Sequence, residues 1–274
     1  MNQKVISVLG CGWLGFPLAK ALNKGGWYVK GSTTSPEKQS LLEANNIKPY
    51  VLQLGEAIGK NEFADFLDSE YLIVNVPPSK GLAQTDSYAA LINALSFSGV
   101  KKLVLVSSTS VYENTNSVVK EEDTDSMDGD ANRMLVIERL FQSLRNIDVT
   151  VVRFAGLIGP ERHPGGFFGK GRIVKGAKVP INLIHLDDCI GIIKTVIDKE
   201  IWGNVFNGCA STHPKKEDFY SKATSIKGNP APVFDASNLT IPYKIVSNDK
   251  VKSILDYEFV YDDLMKMLDV DNFA

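Results

Sequence analysis

The sequence predicts an α/β fold, with a doubly wound parallel sheet extended by a smaller C-terminal lobe. Three observations predict it. From residue 5 to residue 153, short and almost continuously apolar runs alternate with helical patterns, as expected of strands buried on both faces and joined by helical crossovers. A cluster of three glycines closes the first of these runs. Beyond Gly156 the alternation loosens into a stretch rich in glycine and basic residues before regular pattern returns.

The elements follow in order. Val5 to Leu9 is a compact strand, and Leu14 to Leu22 a helix closed by Gly25-Gly26. Trp27 to Lys30 is a second strand, Pro36 to Asn45 a helix, and Ile47 to Leu54 a third strand. Phe63 to Leu67 is a short helix, and Tyr71 to Val76 a fourth strand stopped by Pro77-Pro78. Ser87 to Ser96 is helical, Leu103 to Val106 extended, Asn132 to Leu144 a long helix and Val149 to Arg153 a strand. In the second half come a strand at Asn182 to Leu186, a helix at Asp187 to Ile197 and a strand at Asn204 to Asn207. Helices at Lys215 to Ser225 and near Asp262 to Leu268 complete the chain. The division expected is 1–155 for the sheet domain and 156–274 for a mixed substrate lobe with segments returning to the core.

Composition narrows the function classes. The chain has 274 residues, 44% hydrophobic and 23% charged, enough to bury a sizeable core. A formal net charge of −2 gives no bulk electrostatic case for nucleic acid or an anionic membrane. No apolar run approaches the ~18 residues that span a bilayer. The N-terminus has no signal-peptide layout. Three scattered cysteines, Cys11, Cys189 and Cys209, argue against a disulfide framework or a zinc site and suit a reducing cytoplasm. No metal is expected.

The strand Val5 to Leu9 runs into Gly10-Cys11-Gly12-Trp13-Leu14-Gly15, a G-x-G-x-x-G followed by a helix. Gly10 permits the tight turn, Gly12 lets the backbone approach a pyrophosphate, and Gly15 lets helix and strand pack closely. Phosphates there meet helix-start N–H groups and the positive end of the dipole. This predicts a Rossmann dinucleotide site. Some twenty residues on, where an acid would bind the ribose 2′-hydroxyl of NAD, the chain reads Lys30-Gly31-Ser32-Thr33-Thr34-Ser35-Pro36, with no acid before Glu37. The hydroxyls of Ser32, Thr33 and Thr34, with Lys30 and Lys38, suit a 2′-phosphate. The expected cofactor is NADP, with NAD as the alternative. Cys11 sits at an electropositive helix start that would lower its pKa, yet reads chiefly as a small filler, and Trp13 as packing.

Further along stand Ser107-Ser108-Thr109-Ser110-Val111-Tyr112, then Val152 to Pro160 ("VRFAGLIGP"), Asn182 to Asp188 ("NLIHLDD") and Asn204 to Gly208 ("NVFNG"). With the glycine loop and "VNVPPS", these motifs resemble, in the same order and over nearly the whole chain, an atypical branch of the extended short-chain dehydrogenase/reductases. That is the group of nucleotide-sugar epimerases and dehydratases. The resemblance implies a catalytic serine at Ser108. It implies a cofactor wall at Val76, Pro77 and Pro78, and passage of Gly156 to Pro160 near the nicotinamide. It also implies a small-molecule substrate, and a homodimer as one assembly.

The chain departs from that pattern at one point. The family carries Tyr-x-x-x-Lys on the helix after the serine, the lysine lowering the pKa of the acid/base tyrosine. Taking Glu138 as the family's following glutamate puts Met134 at the lysine position and Asp130 at the tyrosine position. The substitutes for proton transfer are Asp130 and His185. The acids from Glu121 to Asp130 read as helix-dipole and solvent-facing charges rather than a metal site. Arg133, Arg162 and Arg172 are candidates to hold an anionic substrate. Two functions follow: an NAD(P)-dependent epimerase/dehydratase-like oxidoreductase, or a non-catalytic NADP-binding sensor that has lost the proton relay.

Overall fold

The computed structural model describes residues 3–54, 61–76, 83–125, 127, 132–168, 173–235 and 241–270. In chain order, the first half comprises β1 (Val5–Leu9), α1 (Gly15–Lys24), β2 (Tyr28–Thr33), α2 (Gln39–Glu43), β3 (Ile47–Val51), α3 (Asn61–Leu67), β4 (Tyr71–Val74), α4 (Ala83–Leu95) and β5 (Lys102–Ser108). Then follow β6 (Val118–Val119), α5 (Arg133–Gln142), β7 (Asp148–Phe154), β8 (Gly156–Ile158), β9 (Ile173–Val174), β10 (Leu183–His185) and α6 (Leu186–Asp198). The chain closes with β11 (Val205–Gly208), α7 (Lys216–Ile226), β12 (Val233–Phe234), β13 (Ile245–Val246), α8 (Asp249–Leu255) and α9 (Leu264–Met267).

A seven-stranded sheet has the order β11-β7-β5-β4-β1-β2-β3. The pairings β1–β2, β2–β3, β1–β4 and β4–β5 are parallel. The order reverses at β1, which lies between β2 and β4, and a crevice opens at such a point beyond the carboxyl ends of the strands. This is the Rossmann-like α/β architecture the sequence predicts.

Two compact units share the chain. The first is Met1–Ser108, Asp128–Val152 and Ile193–Val205; the second is Thr109–Met127, Arg153–Ile192 and Phe206–Ala274. Segment 193–205 returns to the first unit, and 109–127 groups with the second.

The first unit's core includes Leu9, Phe66, Leu72, Leu103, Ile137, Phe141 and Val151. Tyr88 meets Phe141, and Tyr50 meets Phe66, edge to face at 5.9 and 5.3 Å. Helix α5 starts where Asn132 accepts hydrogen bonds from the N–H groups of Met134 and Leu135 at 3.0 and 3.4 Å. The second unit gathers Ile158, Phe219, Leu264 and Met267. It holds three short parallel pairs, β10 with β8, β12 with β9 and β13 with β6. Helix α8, which the sequence pattern does not announce, buries only Val251 and Leu255. No helix among the described residues is long and apolar enough to cross a membrane.

Candidate cofactor-binding cleft

The glycine loop leaves β1 with Gly10 at φ +100°. A Cβ on Gly10 would lie 2.6 Å from the Asn75 carbonyl oxygen, and one on Gly15 would lie 2.1 Å from the Gly10 oxygen. Both positions therefore exclude side chains. A Cβ on Gly12 would meet nothing within 4 Å. Gly12 is the point where backbone faces open space, as a pyrophosphate approach requires. Leu14 occupies the N-cap of α1 and contributes no side-chain cap, and the Phe16 N–H donates to the Gly12 oxygen at 2.9 Å.

Beside the loop lies a cavity of about 230 Å³ lined by Leu9, Gly10, Cys11, Gly12, Ser32, Thr33, Thr34, Ser35, Lys38, Leu52, Leu54, Asn75 and Val76. The structure thus brings together most of the expected cofactor residues, and no described residue lining the cavity is acidic. Thr34 and Lys38 are exposed. Thr33 is buried, and its hydroxyl accepts from the Ser35 N–H at 3.1 Å. Leu52 and Leu54 give the cavity an apolar wall. The donors, the apolar wall and the open backbone at Gly12 fit a dinucleotide.

Lys30 is corrected. It is 5% exposed and its ammonium donates to the carbonyls of Asp65 and Asp68, at 2.5 and 2.8 Å, where α3 ends. It holds a helix C-terminus rather than facing a phosphate. Cys11 is a filler, as expected, but its pKa moves the other way: burial pushes the thiol up to about 12. Trp13 is half-buried and Leu14 buried. The Val76 carbonyl accepts from the Tyr88 hydroxyl at 2.6 Å. Pro77 and Pro78 lie outside the described residues.

Ser108 ends β5 and is half-buried. Its neighbour Ser107 is buried and donates to the fully buried Glu138 carboxylate. Met134, at the position where the resemblance expects lysine, is 7% exposed. Arg133 is exposed at the start of α5. Asp130 and Arg172 lie outside the described residues.

In the second unit, His185 is 1% exposed; its Nδ1 accepts from the Asp187 N–H at 3.2 Å and its ring packs 4.2 Å from Tyr261. These contacts fix the ring at the start of α6. Arg162 is exposed, and its N–H donates to the Gly159 oxygen at 2.9 Å. Glu121, read from sequence as solvent-facing, is 5% exposed and accepts from the Asn207 N–H at 2.8 Å. No group of three or more His, Cys, Asp or Glu residues among those described could hold a metal ion.

Sequence reasoning missed Ser35, Leu52, Leu54 and Asn75. The one signal for Asn75 was its place between the apolar run of β4 and the two prolines.

No protein-family model matches the chain. Protein YeeZ of Escherichia coli strain K12 is 30% identical over 274 residues, covering 97% of this chain and 99% of that one. Among solved structures, a short-chain dehydrogenase/reductase superfamily protein from Agrobacterium tumefaciens with bound NAD is similar in fold. Its TM-score is 0.77 at 18% identity, covering 97% of this chain and 95% of that one. UDP-glucuronic acid 4-epimerase from Bacillus cereus, in complex with NAD, has a TM-score of 0.75 at 20% identity, covering 96% of each chain.

Proposed function

Since the chain belongs to the family of Escherichia coli protein YeeZ and has the short-chain dehydrogenase/reductase fold, we propose that it is an NAD(P)-dependent oxidoreductase of epimerase/dehydratase type. Its substrate is a small polar molecule of the nucleotide-sugar class. The observation that carries this reading is the cavity where Gly12 opens onto a lining of hydroxyls and Lys38, with no acid among its described residues. Similarity to an enzyme that acts on a UDP-sugar with NAD supports the substrate class.

Bound in this cleft, the nicotinamide cofactor supplies the hydride acceptor or donor. The chain's own groups do the rest. The amides that begin α1 hold the pyrophosphate, and Leu52, Leu54 and Val76 exclude water from the apolar part of the cofactor. Thr34, Ser35 and Lys38 take a 2′-phosphate, which makes NADP the preferred form. Ser108 hydrogen-bonds the reacting oxygen of the substrate. The sequence offers Arg133, Arg162 and Arg172 as candidate cations for its phosphates. Asp130 is the acid/base the sequence offers; His185, with Nδ1 already accepting a backbone N–H, is not assigned that step.

A second reading has one specific observation in its favour. Met134 is buried at the position of the family lysine, so no cation is held there to lower the pKa of an acid. An NADP-binding sensor without turnover would look like this.

Calorimetric titration with NADP and NAD, each oxidised and reduced, followed by a substrate screen on NADPH absorbance, tests both. NADP binding with turnover that Ser108→Ala abolishes supports the enzyme. NADP binding without turnover on any nucleotide sugar supports the sensor. A folded chain that binds neither dinucleotide overturns both.

A further inference from the structure

We propose that Ser32 and Asn75 are positioning residues for the phosphate-binding loop, gripping the Gly10 peptide from its two sides. This rests on the dinucleotide reading of the cleft. The Gly10 N–H donates to the Ser32 hydroxyl oxygen at 2.8 Å, and the Cys11 N–H donates to the Ser32 carbonyl at 2.7 Å. On the other side, the Asn75 side-chain amide donates to the Gly10 oxygen at 3.1 Å, and the Asn75 N–H donates to the Leu9 oxygen at 2.9 Å. Gly10 sits at φ +100°, a conformation with little intrinsic preference, so the peptide flanking it is oriented by what holds its polar groups. Here both are held by side chains: Ser32 within β2 and Asn75 just past the end of β4, the two strands that neighbour β1 in the sheet.

Two consequences follow for the cofactor. The amides of Gly10 and Cys11 are committed to Ser32, so the first amide of the loop that an anion can meet is that of Gly12. The Ser32 side chain, 2% exposed and turned to Gly10, is a support of the loop and not a ligand of the ribose 2′-phosphate. The third glycine of the motif also gains a reason particular to this chain. A Cβ on Gly15 would lie 2.9 Å from the Asn75 side-chain nitrogen. Gly15 thus leaves room for the amide that grips Gly10, besides allowing helix and strand to approach.

The test separates the pyrophosphate end of the site from the 2′-phosphate end. ADP carries a pyrophosphate without a 2′-phosphate, and adenosine 2′-monophosphate the reverse. For Ser32→Ala, the Kd for NADP and for ADP should rise roughly fivefold to tenfold, the loss of one hydrogen bond. The Kd for adenosine 2′-monophosphate should stay at the parent value, and Ser32→Thr, which restores the hydroxyl, should recover ADP binding. Asn75→Asp, equal in size but presenting an oxygen to the Gly10 carbonyl, should behave like Ser32→Ala. Folding of each variant is checked by its urea midpoint. The proposal is overturned if Ser32→Ala weakens adenosine 2′-monophosphate as much as NADP, which would make the hydroxyl a ligand. It is equally overturned if folded Ser32→Ala and Asn75→Asp proteins bind ADP and NADP like the parent. A parent that binds neither NADP nor ADP overturns the dinucleotide reading itself.

Discussion

The guanidinium carbon of Arg153 lies 5.1 Å from the centre of the Tyr112 ring, while its Nη1 donates to the hydroxyl of the same tyrosine at 2.7 Å. That hydroxyl donates onward to Asn207 Oδ1 at 2.7 Å. Arg153 also donates to the Glu121 carbonyl at 3.1 Å and to the Thr124 hydroxyl at 2.9 Å. All five residues are buried. Burial pushes the Tyr112 hydroxyl up to about 12 in spite of the adjacent cation. The group is a neutral donor at physiological pH, and its network is structural.

Arg153→Leu strips this buried network of its central donor and should cost about 3 kcal/mol of stability. Tyr112→Phe leaves one donor and one acceptor unmatched and should cost about 1–2 kcal/mol. Urea denaturation measures both. An Arg153→Leu protein with the parent midpoint would show that the network contributes nothing.

The glycine loop gives a contrasting pair. Gly15→Ala drives a methyl group against the Gly10 oxygen and should destabilise the fold by about 1–3 kcal/mol. Gly12→Ala meets no protein atom within 4 Å, so its melting temperature should match the parent while dinucleotide affinity falls at least tenfold. Thermal melting with and without NADP reads both effects. Equal melting temperatures for the two variants would contradict the geometry.

Two lysines should separate cofactor choice from folding. Lys38→Ala should weaken NADP binding about tenfold and leave NAD binding unchanged, since only a 2′-phosphate meets the ammonium. Lys30→Met should leave the NADP-to-NAD ratio intact and lower stability, because it uncaps α3. Calorimetry with both dinucleotides on both variants decides the matter, and a changed ratio in Lys30→Met would show that its ammonium serves the cofactor rather than the end of α3.

Asp65 supplies a pH dependence. Hydrogen bonds from Lys48, at 2.8 Å, and Tyr50, at 2.6 Å, lower its pKa from the usual 3.8 to about 2. A depressed carboxylate stabilises the fold above its unfolded pKa and loses that contribution as pH falls through the folded one. The advantage of the parent over Asp65→Asn should therefore be complete above about pH 5 and vanish between pH 4 and pH 2. The side chain is 49% exposed, so solvent screening keeps the difference below about 1 kcal/mol. Paired urea curves at pH 7 and pH 2.5 would show it; a difference that persists unchanged at pH 2.5 would contradict the assignment.

What the sequence made legible was local. The glycine loop, its strand and its helix are written in twenty consecutive residues, Val5 to Lys24, and the structure places them together as read. The stretch 30–38 was legible only in part. Ser32 to Ser35 and Lys38 lie at the cleft, but which way a side chain in this stretch turns depends on distant partners. Lys30 is claimed by α3, 35 residues away, and Ser32 by Gly10, 22 residues back. Glu121 looks solvent-facing within its acidic run, yet it is buried and its carboxylate accepts from Asn207, 86 residues on. Strand β6, two residues long, carries no periodicity, and its pairing with β13 spans 127 residues. Patterning reports which face of an element is apolar; it does not report which remote backbone will claim a polar group.

The alternation of segments between the two units has a consequence for how this protein can be inherited and dissected. The chain passes from one unit to the other five times, so neither is encoded by a continuous stretch of gene. A fragment ending near residue 155 would carry β6 without β13 and Tyr71 without Glu200, whose carboxylate accepts from the tyrosine hydroxyl at 2.9 Å. Recombination could not donate the first unit of such a chain intact to another protein.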